Sequence, residues 1–211
     1  MKILFFGDSI TDMSRSREHT DNLPFAMGFG YPFVVSSKFA ERDPLKHELV
    51  NRGISGNRIV DLYARIKCDC WNHFPDVISI LIGVNDIWHE IEHSNGVDLE
   101  RFEKVYSMLI EDTLKVLPNV KFMLLEPFVL KGVCTTEKFD KFQVVKDYAR
   151  VVNKLAKKYA LEFIPLQDKF DEMAKIHGEE TYLFDGVHPT VAGSTLIANE
   201  WMKVFTEKVQ K

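Results

Sequence analysis

The sequence predicts an α/β protein, a three-layer α/β/α sandwich on about five parallel strands in the order 2-1-3-4-5. Two observations carry this. Short runs of β-forming apolar residues recur along the chain, and a stretch with apolar residues at helical spacing follows each of them. Several of these runs also break at a glycine followed by small polar residues, as in Gly7-Asp8-Ser9 and Gly83-Val84-Asn85. A strand buried on both faces reads as a continuous apolar run, and parallel neighbours require crossover helices covering the sheet. No repeat, low-complexity tract or linker divides the 211 residues, so residues 1–211 are expected to form one domain.

The first strand is Lys2-Ile3-Leu4-Phe5-Phe6, ended by Gly7, where a backbone without Cβ can turn sharply. Residues 13–30 are rich in charge, glycine and proline and read as a long loop of the kind that carries function. A helix is expected over 31–42, closed by Asp43-Pro44, then a second strand over 47–51 and a glycine-broken turn from Arg52 to Asn57. Ile59, Leu62, Tyr63 and Ile66 recur at helical spacing. The Val- and Ile-rich run 76–82 is the clearest strand. An amphipathic helix over 99–117, a strand over 120–125 and a helix over 138–159 follow. The run 161–166 is a weaker strand because Pro165 interrupts it, and helices near 168–177 and 190–209 close the chain. This alternation matches the flavodoxin-like strand order.

Composition excludes several function classes. The formal net charge of -4, without a basic cluster, gives no electrostatic reason to expect nucleic acid or anionic membrane as partner. Five apolar residues before Gly7 are too few for an export signal, and no apolar run reaches the length of a membrane span. The three cysteines are odd in number, and Cys68-Asp69-Cys70 lacks the two-residue gap of zinc or redox pairs. Reduced thiols and a cytoplasmic location are expected.

In open α/β sheets, chemistry collects beyond the carboxyl ends of the strands. Ser9 follows strand one, Gly56 strand two and Asn85 strand three, and the order 2-1-3 makes these strands neighbours. Taken alone, Ser9 reads as a helix N-cap. The loop Phe184-Asp185-Gly186-Val187-His188-Pro189-Thr190 leads into the last helix, with Pro189 placed to start it. Serine hydrolysis needs an imidazole to take the hydroxyl proton, a carboxylate to orient that imidazole, and donors aimed at the oxyanion. His188 and Asp185 supply the first two. The Ser9 and Gly56 amides and the Asn85 side chain are the natural donors.

These blocks (Gly7-Asp8-Ser9-Ile10, Gly56, Gly83-x-Asn85-Asp86 and Asp185-x-x-His188-Pro189) resemble those of the GDSL/SGNH hydrolase family, in order and across most of the chain. The resemblance implies the SGNH hydrolase fold, with Ser9 as nucleophile, His188 as base, Asp185 as its orienting acid, Ser9, Gly56 and Asn85 as the oxyanion hole, and no metal or organic cofactor. Residues 51–57, 82–88 and 187–193 are similar to bacterial intracellular acetylxylan esterases, which implies removal of acetyl groups from xylo-oligosaccharides. Such enzymes often associate, so a homo-oligomer is expected. Asp8, Tyr31, Trp88 and Phe128 are candidate substrate contacts, the aromatics forming a sugar-stacking rim with those of the 25–31 loop. Each aromatic taken singly also reads as core.

Four other readings fit parts of the sequence. A lipid or thioester acyl hydrolase would use the same parts. A non-catalytic glycan-binding domain would leave an intact catalytic set unexplained. His89-Glu90-Ile91-Glu92-His93 matches the H-E-x-x-H zinc pattern, but Ser94-Asn95-Gly96 leaves it about one helical turn, so a solvated charged loop is expected. Asp8 and Asp12 suggest an aspartyl-phosphate site, which leaves Ser9, Asp185 and His188 without a task. His19, His47, His73 and His177 have no partners in sequence and are expected at the surface.

Overall fold

The computed structural model describes residues 1–18 and 24–210. The chain runs through β1 (Lys2–Gly7), α1 (Ser9–Asp12), α2 (Tyr31–Arg42), β2 (Glu48–Gly53), α3 (Ile59–Ala64), α4 (Ile66–Asp69), β3 (Val77–Leu81), α5 (Val84–His93), α6 (Leu99–Val116), β4 (Lys121–Leu125), α7 (Phe139–Phe142), α8 (Val145–Tyr159), β5 (Glu162–Ile164), α9 (Gln167–His177) and α10 (Val191–Val204). All five strands are parallel, in the order β2-β1-β3-β4-β5. Gly7 lies level with Gly53 on one side and Leu81 on the other. The register therefore ends three adjacent strands on one line and delivers residues 8–9, 54–56 and 82–85 to the same edge.

Alternate residues of β1 serve opposite layers, as strand geometry requires. Phe5 meets Tyr31 of α2 and Trp201 of α10, whereas Phe6 lies beneath the Arg65 guanidinium at the α3–α4 junction. On the first face Phe39, Trp201 and Phe205 interlock, with the Trp201 and Phe205 rings stacked 5.0 Å apart. Trp201 is fully buried, and its indole N–H donates to Ser79 Oγ at 3.0 Å, which accounts for a serine in the middle of the most buried strand. Trp201→Ala should cost about 3–5 kcal/mol. Denaturant unfolding should show a lowered midpoint at unchanged slope; an unchanged midpoint would mean that the aromatic layer is not holding α10 to the sheet.

Several boundaries differ from expectation for local reasons. The predicted helix over 138–159 is broken: α7 ends at Phe142, and α8 begins at Val145 with a tightened first turn in which Lys146 and Asp147 donate to carbonyls three residues back. Phe142 turns inward against Trp88 at this break. The last helix is α-helical only to Val204; at 205–209 it widens, with Gln210 N donating to Phe205 O five residues back. Pro189 does not start α10. It bridges Leu183, and Thr190 caps the helix by accepting from Gly193 N. β5 keeps only three residues, since Pro165 cannot donate to a ladder.

The described parts of the 13–30 segment fold back on β2. Arg15 Nε donates to Gly53 O at 2.8 Å, and Asn51 Nδ2 reaches both Thr11 O and Met27 O. His47 is not a free surface group, because its ring packs between Phe39 and Phe205. His73 accepts from Arg52 Nε, His177 is exposed, and His19 lies outside the described residues. Among the described residues no helix is long and apolar enough to cross a membrane.

Candidate active site

The site begins where β1 stops. A Cβ on Gly7 would sit 2.4 Å from Thr11 Oγ1 and 2.5 Å from Leu81 O, so only glycine lets α1 fold back this closely on β3. Asp8 then caps α1, its Oδ1 accepting from Ile10 N at 3.0 Å. The cap expected of Ser9 is thus taken by its neighbour. Ser9 becomes the first helical residue, and its hydroxyl is free to face outward.

Ser9 Oγ lies 2.8 Å from His188 Nε2, and His188 Nδ1 lies 2.6 Å from Asp185 Oδ2. The other Asp185 oxygen accepts from the backbone N–H groups of Val187 and His188 at 2.9 and 2.7 Å. One carboxylate therefore shapes its own loop and aims the ring it holds. The imidazole is also walled in, with Phe184 stacked on it at 5.7 Å and Trp88 tilted against it at 5.9 Å. Burial alone would push the His188 pKa down, but the hydrogen bond and charge of Asp185, with the charge of Asp8, outweigh that and raise it above the ordinary 6.5. Burial would likewise raise Asp185, yet His188 and the two backbone donors hold its carboxyl below the usual range.

Gly56 and Asn85 reach the same place from β2 and β3. Ile54 N donates to Gly7 O, which starts the turn after β2, and Asp12 holds that turn by accepting from both Ser55 N and Ser55 Oγ at 2.9 and 3.0 Å. Arg17 pairs with the same Asp12 oxygen. Gly56 has φ +81°, and a Cβ built there would meet nothing within 4 Å, so the turn opens on a cleft. Asn85 is buried near the start of α5, with one amide N–H donated to Asn57 O at 3.1 Å and the second left for a ligand. Ser9, Ser55, Gly56, Asn85, Trp88, His89, His93 and His188 line one cleft of about 400 Å³. It holds a hydroxyl hydrogen-bonded to an imidazole, a carboxylate behind that imidazole, and convergent N–H donors, an arrangement capable of acyl transfer.

Three tentative substrate contacts are corrected. Tyr31 and Phe128 are wholly buried, the first edge-on to Phe5 and the second against Phe170, so neither can stack on a sugar. Asp8 is also wholly inside the protein; burial, with a smaller push from the charge of Asp12, raises its pKa to about 7. With Asp12 bound by Arg17 and Ser55, neither aspartate is free to accept a phosphoryl group. Of the four contacts, only Trp88 lines the cleft. Phe184, directly before Asp185, is a further aromatic of the site that no sequence pattern singles out; it is 54% exposed and stacked on His188. Asp12 was noticed as a carboxylate but not as the clamp of the Gly56 turn.

The H-E-x-x-H stretch is not a loop. It is the second half of α5, which starts at Val84 directly after the strand-end glycine, and this puts His89 and His93 on one face with ring centroids 6.1 Å apart. Glu90 Oε2 accepts from Gly96 N and so closes the helix C-terminus, which removes the general base that a zinc protease would need. Among the described residues no group of three or more His, Cys, Asp or Glu side chains is arranged to hold a metal ion.

Comparison with known proteins agrees with this geometry. The model of the GDSL-like lipase/acylhydrolase family matches residues 5–196. An acetylxylan esterase from Geobacillus stearothermophilus is 33% identical over 207 residues, covering 96% of this chain and 92% of that protein. Among solved structures, a GDSL-like protein from Parabacteroides merdae superposes with a TM-score of 0.92 at 36% identity, covering 97% of this chain and 95% of its own. A crystal structure of an acetylxylan esterase from G. stearothermophilus gives 0.85 at 33% identity, with 96% and 92% covered.

Proposed function

The chain belongs to the GDSL-like lipase/acylhydrolase family, and from that premise we propose that it is a serine esterase removing O-acetyl groups from carbohydrate, with acetylated xylo-oligosaccharides as the substrate class. The observation that carries the chemistry is the Asp185–His188–Ser9 relay at 2.6 and 2.8 Å. Neutral His188 takes the Ser9 proton as Oγ attacks the acetyl carbonyl. The Ser9 and Gly56 amides and the free Asn85 N–H receive the oxyanion. His188 then gives its proton to the departing sugar alcohol, and water, deprotonated by the same ring, hydrolyses the acetyl-enzyme. Asp185 stays ionised and stabilises the imidazolium at each stage. The solved variants of the G. stearothermophilus esterase that are described as catalytic replace an aspartate, a serine and a histidine, the same three residue types.

The substrate class rests on the lining of the cleft. Beside the reacting groups it presents serine, glycine and histidine and a single indole, Trp88, which Phe142 braces from behind. Among the described residues that line it, none builds an aliphatic tunnel for a long acyl chain. Trp88 and the exposed Phe184 ring offer flat surfaces on which the C–H face of a pyranose can stack. The test is a series of aryl esters of increasing acyl length run beside acetylated xylo-oligosaccharides. The expected result is efficient release of acetate from both, with kcat/KM falling by roughly tenfold or more per few added methylenes, since the cleft has no apolar channel to take them and each must be fitted against polar lining groups. Equal or better turnover of octanoyl esters would reassign the enzyme to lipid or thioester acyl hydrolysis.

A further inference from the structure

We propose that His89 and His93 form a transition-metal site at the lip of the catalytic cleft, through which Zn²⁺, Cu²⁺ or Ni²⁺ switches the esterase off. The proposal starts from α5. Asn85, His89 and His93 are spaced four residues apart and share one face of this helix, and all three line the cleft that contains Ser9 and His188. An ion held by the two histidines therefore stands along the helix from the amide assigned to the oxyanion.

The geometry suits one bridging ion. Metal–nitrogen bonds of about 2.0–2.1 Å place the ring centroids of a two-histidine site roughly 5–6.5 Å apart. The observed separation is 6.1 Å, with the rings inclined at 75°. Among the described residues neither imidazole hydrogen-bonds to another protein group, so the nitrogens are not already committed. His89 is half-buried and His93 exposed, which leaves a path for the ion from solvent.

The neighbouring carboxylates are engaged elsewhere. Glu90 accepts from Gly96 N, and Glu92 pairs with Lys138 at 2.8 Å. The two imidazoles thus act without an anionic ligand, and water must fill the remaining positions. Such a pair selects ions that favour nitrogen and rejects Mg²⁺ and Ca²⁺, which need oxygen. It also binds reversibly rather than structurally. A hydrated dication here occupies space needed by the sugar and places positive charge beside His188 just where an imidazolium must form. The off-switch rests on the esterase reading above; the binding site itself does not.

The experiment therefore measures both. Metal-free enzyme is titrated with Zn²⁺ by calorimetry, and aryl acetate hydrolysis is followed in parallel. The expected result is one bound equivalent and inhibition that EDTA reverses, while Mg²⁺ has no effect. His89→Gln and His93→Gln should each weaken binding and raise the half-inhibitory concentration by at least about tenfold. Cys68→Ser and Cys134→Ser, which remove the exposed thiols, should change neither. Absence of binding, binding retained in both histidine variants, or binding lost with a cysteine would overturn the site. Stoichiometric binding without inhibition would overturn the switch. If the wild type cleaves no aryl acetate, the esterase reading fails while calorimetry still decides the site.

Discussion

Ser9→Ala should lower kcat/KM for acetyl esters by about four to six orders of magnitude while leaving the protein folded. The size of the loss follows from what the hydroxyl does. It forms the acyl-enzyme, and without it His188 has only water to activate and the oxyanion donors have no tetrahedral intermediate attached at Ser9. Stability should change little, because Asp8 caps α1 and the hydroxyl has His188 as its partner. The check is steady-state hydrolysis together with labelling by a serine-directed organophosphonate. Wild type should take up one equivalent and the variant none. A variant that retains activity within tenfold of wild type would remove Ser9 from the mechanism, and the cleft would need a different nucleophile.

Asp185→Asn should cost about 10⁴ in kcat and also move the pH dependence. An asparagine oxygen can still accept from Val187 N and His188 N, so the loop keeps its shape. Its amide then faces His188 Nδ1 as a donor, which favours the wrong tautomer and leaves the imidazolium unsupported. The sign of the pH effect follows from the wild-type balance. Burial lowers the His188 pKa, and Asp185, with the charge of Asp8, more than reverses this, so kcat/KM of the wild type should rise with pH through a value above the ordinary 6.5. Removing the carboxylate leaves burial in place, and the acidic limb should shift to lower pH. A pH–rate profile in which the residual activity keeps the wild-type limb would show that Asp185 does not hold the proton on His188.

The parts of the fold that were legible are those where sequence and physics have one solution. Continuous apolar runs such as 76–82 can only be buried strands or helices, and glycine with a polar residue behind them marks the carboxyl edge. Gly7, Gly53 and the turn at Gly83 located that edge, and Ser9, Gly56 and Asn85 followed. The ordered blocks then paired Asp185 with His188. What remained hidden depends on contacts from distant parts of the chain. Tyr31 and Phe128 look like any other aromatic until Phe5 and Phe170 are seen to enclose them. Asp8 could be read as a ligand because sequence does not show that Ser9 has passed it the role of cap. The H-E-x-x-H stretch was misplaced because a strand-end glycine hides how soon α5 begins, and the break at 143–144 because helical spacing continues across it.

The distance along the chain between the nucleophile and its base has a consequence for biosynthesis. Ser9 is synthesised before His188, which follows 179 positions later. At about 5–20 residues per second a ribosome needs roughly 10–35 s to cover that interval. Throughout it the nascent polypeptide carries a serine with no base to activate it. The adjacent strands β1, β2 and β3 can pair early, since all precede residue 82, yet esterase competence waits for the 185–190 loop to dock. Hydrolytic activity in a refolding or translation reaction should therefore appear after these strands have paired, as a report that the loop has reached Ser9.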